Sequence, residues 1–238
     1  MDRAIFIHAL HKSASMFLHR FFQNYAGQMG VRHYSPNARK NRRLDCLNEN
    51  ETNFCCGPIR QFATFPQGVT DIKIPNLPLN YTSPETYRIY QIRDPRDLLV
   101  SQYFSSAFIH KLGGKLDEKR RETLQQITVD EFCLKWSDWL INKYKHVFNI
   151  DAPNHIIVKY EQMVLHYPKW LSEIASFLSI PPQKTKRLKN FEKEFKPFEE
   201  CMKHKRKMIP GDYKEKLKPE TIKQLNSNFS QILEAFYP

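Results

Sequence analysis

Ile5-Phe6-Ile7-His8-Ala9-Leu10-His11-Lys12-Ser13-Ala14-Ser15-Met16-Phe17-Leu18 is the stretch that decides the fold. A short apolar run breaks at His11-Lys12, passes through the small residues Ser13, Ala14 and Ser15, and resumes as an apolar pattern at helical spacing. That order spells a strand, a tight turn and a helix. Small residues at such a turn let backbone N–H groups and the helix N-terminus approach an anion, and Lys12 adds a point charge. The reading is a site for a phosphate or a group shaped like one. Because Lys12 precedes the small residues instead of following them, the Gly-x-x-x-x-Gly-Lys-Ser/Thr loop of ordinary P-loop enzymes is absent.

Working outward, residues 3–9 read as a buried strand and Ser15 to Met29 as the helix after it. Val69-Thr70-Asp71-Ile72-Lys73-Ile74 reads as a strand stopped by Pro75, and Tyr87 to Ile92 as a stronger one ended by Arg93-Asp94-Pro95. A helix follows with Pro95 in its first turn and Leu98, Leu99, Tyr103 and Phe104 at apolar spacing. His155 to Tyr160 is another strand, and Val129–Val147, Pro168–Leu178 and Pro219–Phe236 have helical period. Residues 35–66 show no clear period and read as loops with short elements. Polar residues 111–128, with Gly113-Gly114, read as a loop or a helix pair with an exposed connection. Strands alternating with helices predict an α/β fold, a three-layer parallel sheet in a single domain over residues 1–238. In such sheets ligands bind at the carboxyl ends of the strands, which gathers residues 11–17, 93–101 and 160 at one edge.

With a net charge of +12, the chain favours anionic partners. Its basic runs lack the interleaved aromatics of an RNA-binding signature, so no nucleic-acid partner is expected. Five cysteines, with Cys55 and Cys56 adjacent, do not have zinc-site spacing and read as reduced thiols of a cytoplasmic protein. No metal site and no membrane segment is expected, since the run at residues 4–10 is too short to span a bilayer.

Two further motifs carry chemistry. In Arg93-Asp94-Pro95-Arg96-Asp97-Leu98-Leu99-Val100-Ser101, an arginine closes a strand and a hydroxyl lies two helical turns on. So placed, the two can grip one phosphate from two sides, although a single Arg-Asp-Pro turn is also a common structural ion pair. Lys205-Arg206-Lys207-Met208-Ile209-Pro210-Gly211-Asp212-Tyr213-Lys214 sets three consecutive cations before a Pro-Gly turn, either a compact anion clamp or a solvated loop.

Together these segments resemble the sulfotransferases that use 3′-phosphoadenosine 5′-phosphosulfate (PAPS). Lys12 to Phe17 is similar to the family's 5′-phosphosulfate loop, usually Lys-Ser-Gly-Thr-Thr-Trp. Arg93 to Ser101 resembles its 3′-phosphate motif, and Arg206 to Lys214 its late Arg-Lys-Gly-x-x-Gly-Asp-Trp-Lys motif. Lys159-Tyr160-Glu161-Gln162-Met163 is similar to Lys-Tyr-Glu-Asp-Leu, and the order of the motifs along the chain agrees. The resemblance implies a sulfotransferase that moves a sulfuryl group from PAPS to a hydroxyl or amine of a small molecule and releases PAP. It implies that Lys12, with the backbone of Ser13, Ala14, Ser15, Met16 and Phe17, binds the phosphosulfate, and that Lys12 neutralises charge on the leaving oxygen. Arg93, Ser101, Lys205, Arg206 and Lys207 would hold the 3′-phosphate, and Phe17 and Tyr160 would pack on adenine.

Departures from the pattern are expected to matter. Met16 stands at a threonine position and Met208 at a glycine. The family's Lys-Thr-His-Leu-Pro segment appears as Lys73-Ile74-Pro75-Asn76-Leu77-Pro78, which keeps the catalytic lysine Lys73 but lacks the histidine. The general base is thus open among His11, Asp71, His33 and His110. Few residues precede Lys12, so an acceptor pocket more open than in typical members is expected. A basic surface would also suit an already sulfated polysaccharide. The alternatives are a catalytically silent PAP- or polyanion-binding protein and a P-loop-type nucleotide kinase.

Overall fold

Along the chain the elements run β1 (Ala4–Ala9), α1 (Ser15–Met29), β2 (Arg32–Tyr34), β3 (Phe54–Ile59), β4 (Thr86–Ile92), α2 (Pro95–Phe104), a π-helical turn (Ser105–Ile109), α3 (Lys115–Gln125) and α4 (Val129–Phe148). They continue with β5 (His155–Lys159), α5 (Tyr160–Leu165), α6 (Tyr167–Phe177), α7 (Pro182–Leu188), a 3₁₀ segment (Lys189–Phe195), α8 (Tyr213–Lys216), α9 (Pro219–Asn228) and α10 (Ser230–Phe236). This computed structural model describes residues 4–35, 53–59, 86–109, 115–150, 154–195 and 209–238. The chain divides into two compact units, one formed by Met1–Ile92 and Lys145–Phe195, the other by Arg93–Tyr144 and Lys196–Pro238.

The first unit holds a five-stranded sheet in the order β2-β3-β1-β4-β5, parallel at every pairing. Every residue of β1 is buried, which is why it reads as a continuous apolar run and not as an alternating one. Ile5, Ile7 and Ala9 share a face with Cys55, Ile89 and Val158, and this face packs against Phe17, Leu18, Phe21 and Phe22 of α1 and Trp170, Leu171 and Ile174 of α6. On the opposite face Phe6 meets Phe54 edge-on and His8 stacks on Tyr90 at 4.7 Å, all four buried. A parallel sheet buried on both faces is the α/β architecture expected from the sequence. Because β1 lies between β3 and β4, strand order reverses at β1, and the crevice at its carboxyl end is the place such sheets offer a ligand.

Two strands escape pattern reading. β3, Phe-Cys-Cys-Gly-Pro-Ile, falls in the stretch read as loops with short elements because it is buried on both faces and so has no alternation, and β2, just before that stretch, is too short to show a period. Gly57 is required there: its φ is +148°, and a Cβ would lie 2.7 Å from the Cβ and carbonyl oxygen of Ile7, where the β1–β3 register shifts. Tyr160 opens α5 instead of ending β5. The segment 111–128 contains the helix α3, and the expected helix Pro219–Phe236 is two helices broken at the buried Phe229. The strand expected at Val69–Ile74 lies outside the described residues.

In the second unit, α4 begins with a reciprocal cap. The Thr128 N–H donates to Glu131 Oε2 at 2.7 Å, and the Glu131 N–H donates to Thr128 Oγ1 at 3.2 Å. The Lys218 N–H donates to Asp130 at 2.9 Å, and Asn228 donates to Ser137 at 3.1 Å, tying α9 and the residue before it to α4.

Candidate functional site

At the carboxyl end of β1 the chain turns within a few residues. The Ser13 N–H donates to the Leu10 carbonyl at 3.1 Å, and the first helical bond runs from the Leu18 N–H to the Ala14 carbonyl at 3.0 Å. To do this Lys12 adopts φ +74° and Ala14 adopts φ +61°, ψ +33°. Left-handed backbone costs a residue with a Cβ about 1–2 kcal/mol, and such strain collects at functional sites. Ala14 is the N-cap of α1 and supplies no side-chain cap, and the first turn carries no acid. The N–H groups of Ser15, Met16 and Phe17 therefore stand at a helix N-terminus whose partial positive charge nothing in the helix neutralises.

Ser13 is fully buried and its hydroxyl has no hydrogen-bond partner. Beside it Gln91, the penultimate residue of β4, donates from Nε2 to the Ser13 carbonyl at 3.1 Å and to the Met163 sulfur at 3.3 Å. A strained turn, an uncapped helix start, an orphaned hydroxyl and Lys12 together fit a phosphate-like group with oxygens that accept hydrogen bonds. His11 and Lys12 are half-buried at this turn and Ser15 is buried, whereas Met16 is 60% exposed. Phe17 is 6% exposed, and its ring is engaged by Phe21, Tyr167, Trp170, Phe191 and Phe195, so little of it is left for an adenine. Tyr160 is 5% exposed and belongs to the same core. His33 pairs with Cys55, which pairs with Ile5, so register sets it level with the early part of β1 and away from the turn.

In the second unit Arg93 is buried, and its backbone is held on both sides by the Tyr144 hydroxyl. The Arg93 N–H donates to that oxygen at 3.3 Å, and the hydroxyl donates back to the Arg93 carbonyl. Within the Arg-Asp-Pro-Arg motif, Asp94 and Arg96 form an ion pair. Asp94 caps α2 by accepting from the Arg96 N–H at 2.9 Å and also from Arg96 Nε at 2.9 Å and Nη2 at 2.6 Å. Arg96 then covers the Tyr213 ring at 4.2 Å and donates to Asn226 at 2.6 Å.

Asp97, 1% exposed, accepts from the Gly211 N–H at 2.6 Å and the Tyr213 N–H at 3.0 Å. Gly211 has φ +91°, a conformation open to glycine. Ser101 is four residues beyond Asp97 in α2 and therefore lies on the same helix face. Burial raises the Asp97 carboxyl above its ordinary value, opposed by Arg93 and by the two backbone donors.

Gln91, Asp97 and Tyr144, whose side chains hold these segments in place, are residues that sequence reading passed over. Gln91 had a signal, a polar residue on the apolar face of a strand. Asp97 looked like an ordinary acid in a first helical turn, and Tyr144 like core. Lys73, Asp71, His110, Lys205, Arg206 and Lys207 lie outside the described residues. Among the described residues no group of His, Cys, Asp and Glu could hold a metal ion, and no helix is long and apolar enough to cross a membrane. Cys55, Cys56 and Cys133 are free and buried, and burial pushes the thiols of Cys56 and Cys133 up to about 12.

A family model described as the sulfotransferase domain matches residues 2–236. No curated protein matches the chain. Among solved structures, mouse sulfotransferase SULT7A1 complexed with PAP is similar with a TM-score of 0.65 at 17% identity, covering 100% of this chain and 87% of that one. Retinol dehydratase in complex with androsterone and inactive cofactor PAP gives a TM-score of 0.57 at 14% identity, covering 97% of this chain and 80% of that one. A complex of retinol dehydratase with retinol and PAP gives 0.51 at 15% identity, with 97% and 81% covered. At these identities the likeness to solved structures is one of fold.

Proposed function

This chain belongs to the sulfotransferase domain family, and from that premise we propose that it transfers the sulfuryl group of PAPS to a hydroxyl or amine of a small-molecule acceptor and releases PAP, acting as one domain over residues 1–238. The observation that carries the reading is the turn at Lys12–Ala14, strained and uncapped beside the orphaned Ser13 hydroxyl at the strand-order switch point. The solved relatives complexed with PAP support the nucleotide, and androsterone and retinol in the dehydratase complexes support a small-molecule acceptor.

Sulfuryl transfer, like phosphoryl transfer, passes through a loose transition state, so catalysis is mainly alignment and charge stabilisation. Lys12 and the N–H groups at the start of α1 receive the 5′-phosphosulfate, and Lys12 neutralises the charge that builds on the bridging oxygen as its bond to sulfur breaks. Ser15 lies beside the sulfuryl group. Arg93 and Ser101 grip the 3′-phosphate, joined by Lys205, Arg206 and Lys207, and Tyr160 and the remaining edge of Phe17 border the adenine. Lys73 contacts the sulfuryl group. A base, His11 or Asp71, takes the proton from the acceptor as its oxygen or nitrogen bonds to sulfur. The free, buried cysteines suit a reducing compartment, and the cytoplasm is the proposed location.

Isothermal titration with PAP tests the site. A hydrogen-bonded cation on a phosphate is worth about 1.5–3 kcal/mol, so Lys12→Ala and Arg93→Ala should each weaken PAP binding about 10- to 100-fold. Unchanged affinity in both variants would overturn the assignment.

A further inference from the structure

Gln91 sits on β4 two residues after Ile89, on the sheet face whose apolar cluster, including Ala9, Ile89 and Val158, packs against α1 and α6. The residue is fully buried. An amide in that setting is costly unless its hydrogens are used. Both are: one goes to the Ser13 carbonyl at 3.1 Å and the other to the Met163 sulfur at 3.3 Å. Each of these partners only accepts, which sets the orientation of the amide. The Gln91 Oε1 atom and the Ser13 hydroxyl are both buried without a hydrogen-bond partner.

The Ser13 carbonyl belongs to the same planar peptide as the Ala14 N–H, and in a trans peptide the two point in opposite directions. A donor that holds the carbonyl toward the core therefore turns the Ala14 N–H away from it. The strain at Ala14 works against this. Rotating the Ser13–Ala14 peptide by half a turn would carry the Ala14 φ from +61° back to the negative range that a residue with a Cβ prefers, and would turn its N–H inward. The loop carries alanine where a glycine would hold this conformation freely.

We propose that Gln91 is a positioning residue of the phosphosulfate loop: its hydrogen bond to the Ser13 carbonyl locks the Ser13–Ala14 peptide against flipping and keeps the Ala14 N–H aimed at the 5′-phosphate of the nucleotide. The proposal rests on the PAPS reading above. It makes Gln91 the partner of Ala14, one supplying the restraint that the other's strain requires.

The experiment measures, on the full chain, affinities for PAP and for adenosine 3′-phosphate, which lacks the 5′-phosphate, and takes their ratio. In Gln91→Met, which keeps the volume and removes the donor, the ratio should fall about five-fold, the worth of one neutral hydrogen bond, while adenosine 3′-phosphate binds as before. Adding Ala14→Gly, which removes the drive to flip, should restore most of the ratio. Equal losses for both ligands, or no rescue by Ala14→Gly, would overturn the proposal. A wild-type protein that binds PAP no more tightly than adenosine 3′-phosphate would instead refute the PAPS reading itself. If Gln91→Met does not fold, Met163→Leu takes its place. It removes only the second acceptor on the same amide, the ratio should fall about two-fold, and an unchanged ratio would count against the proposal.

Discussion

Replacing Asp97 with asparagine removes a buried charge without changing the side chain's shape, and the outcome can be worked from two hydrogen bonds. The carboxylate accepts the Gly211 N–H at 2.6 Å and the Tyr213 N–H at 3.0 Å. Asparagine keeps one acceptor and turns an NH₂ toward the other N–H, so one charge-assisted bond is lost and one buried donor is left unmet. Each effect is worth about 1–3 kcal/mol, and with relaxation a net loss of about 2–3 kcal/mol at pH 7 is expected. For a chain of this length that is a fall of about 5–10 °C in Tm.

Acidification sharpens the test. Burial is the largest influence on Asp97 and raises its carboxyl above the ordinary value of 3.8, outweighing the pull of Arg93 and of the two amides. A carboxyl raised in the folded state binds more protons there than in the unfolded chain, so its contribution to stability grows as pH falls through its folded pKa toward 3.8. Thermal melts of the two proteins from pH 7 down to pH 4 should therefore show the gap widening. A gap that closes on acidification would refute the raised carboxyl of Asp97, and no gap at pH 7 would refute its part in holding the Gly211–Tyr213 turn.

Gly57→Ala should cost about 1–3 kcal/mol in urea unfolding, because the new Cβ meets the Ile7 backbone at 2.7 Å and the φ of +148° is strained for alanine. Tyr144→Phe leaves the buried Arg93 N–H and carbonyl without that hydroxyl, so a loss of about 1–3 kcal/mol and weaker PAP binding are expected from melting and titration together. Cys55, Cys56 and Cys133 should resist an aromatic disulfide reagent in the folded protein and react only on unfolding. With the Cys56 and Cys133 thiols held up to about 12, their share of stability is intact below the ordinary thiol range and is lost as pH rises from there toward 12. Rapid labelling of any of the three at pH 8 without unfolding would contradict their placement.

β1, α1, β4, α2, α4 and β5 were legible because each carries a local signal: an apolar run, a helical period, or a proline at a first turn. β3 was not, since a strand buried on both faces looks like any short apolar stretch, and its Gly-Pro pair reads as a turn. The break at Phe229 was equally hidden, because the apolar spacing of Pro219–Phe236 continues through it.

For the proposed site, residue identity and order along the chain nominated Lys12, Arg93 and Ser101. Those are statements about charge and hydrogen-bonding type, which a side chain carries wherever it sits. What only the tertiary structure decided is how such groups are held. The positive φ of Ala14 follows from a turn that must join a central strand to its helix. The bond from Gln91 to Ser13 joins residues far apart in sequence, and so do the bonds from Asp97 to Gly211 and Tyr213 and from Tyr144 to Arg93. A hydrogen bond requires atoms to come within about 3 Å at a suitable angle, and for groups this distant along the chain only the packing of the elements between them brings that about.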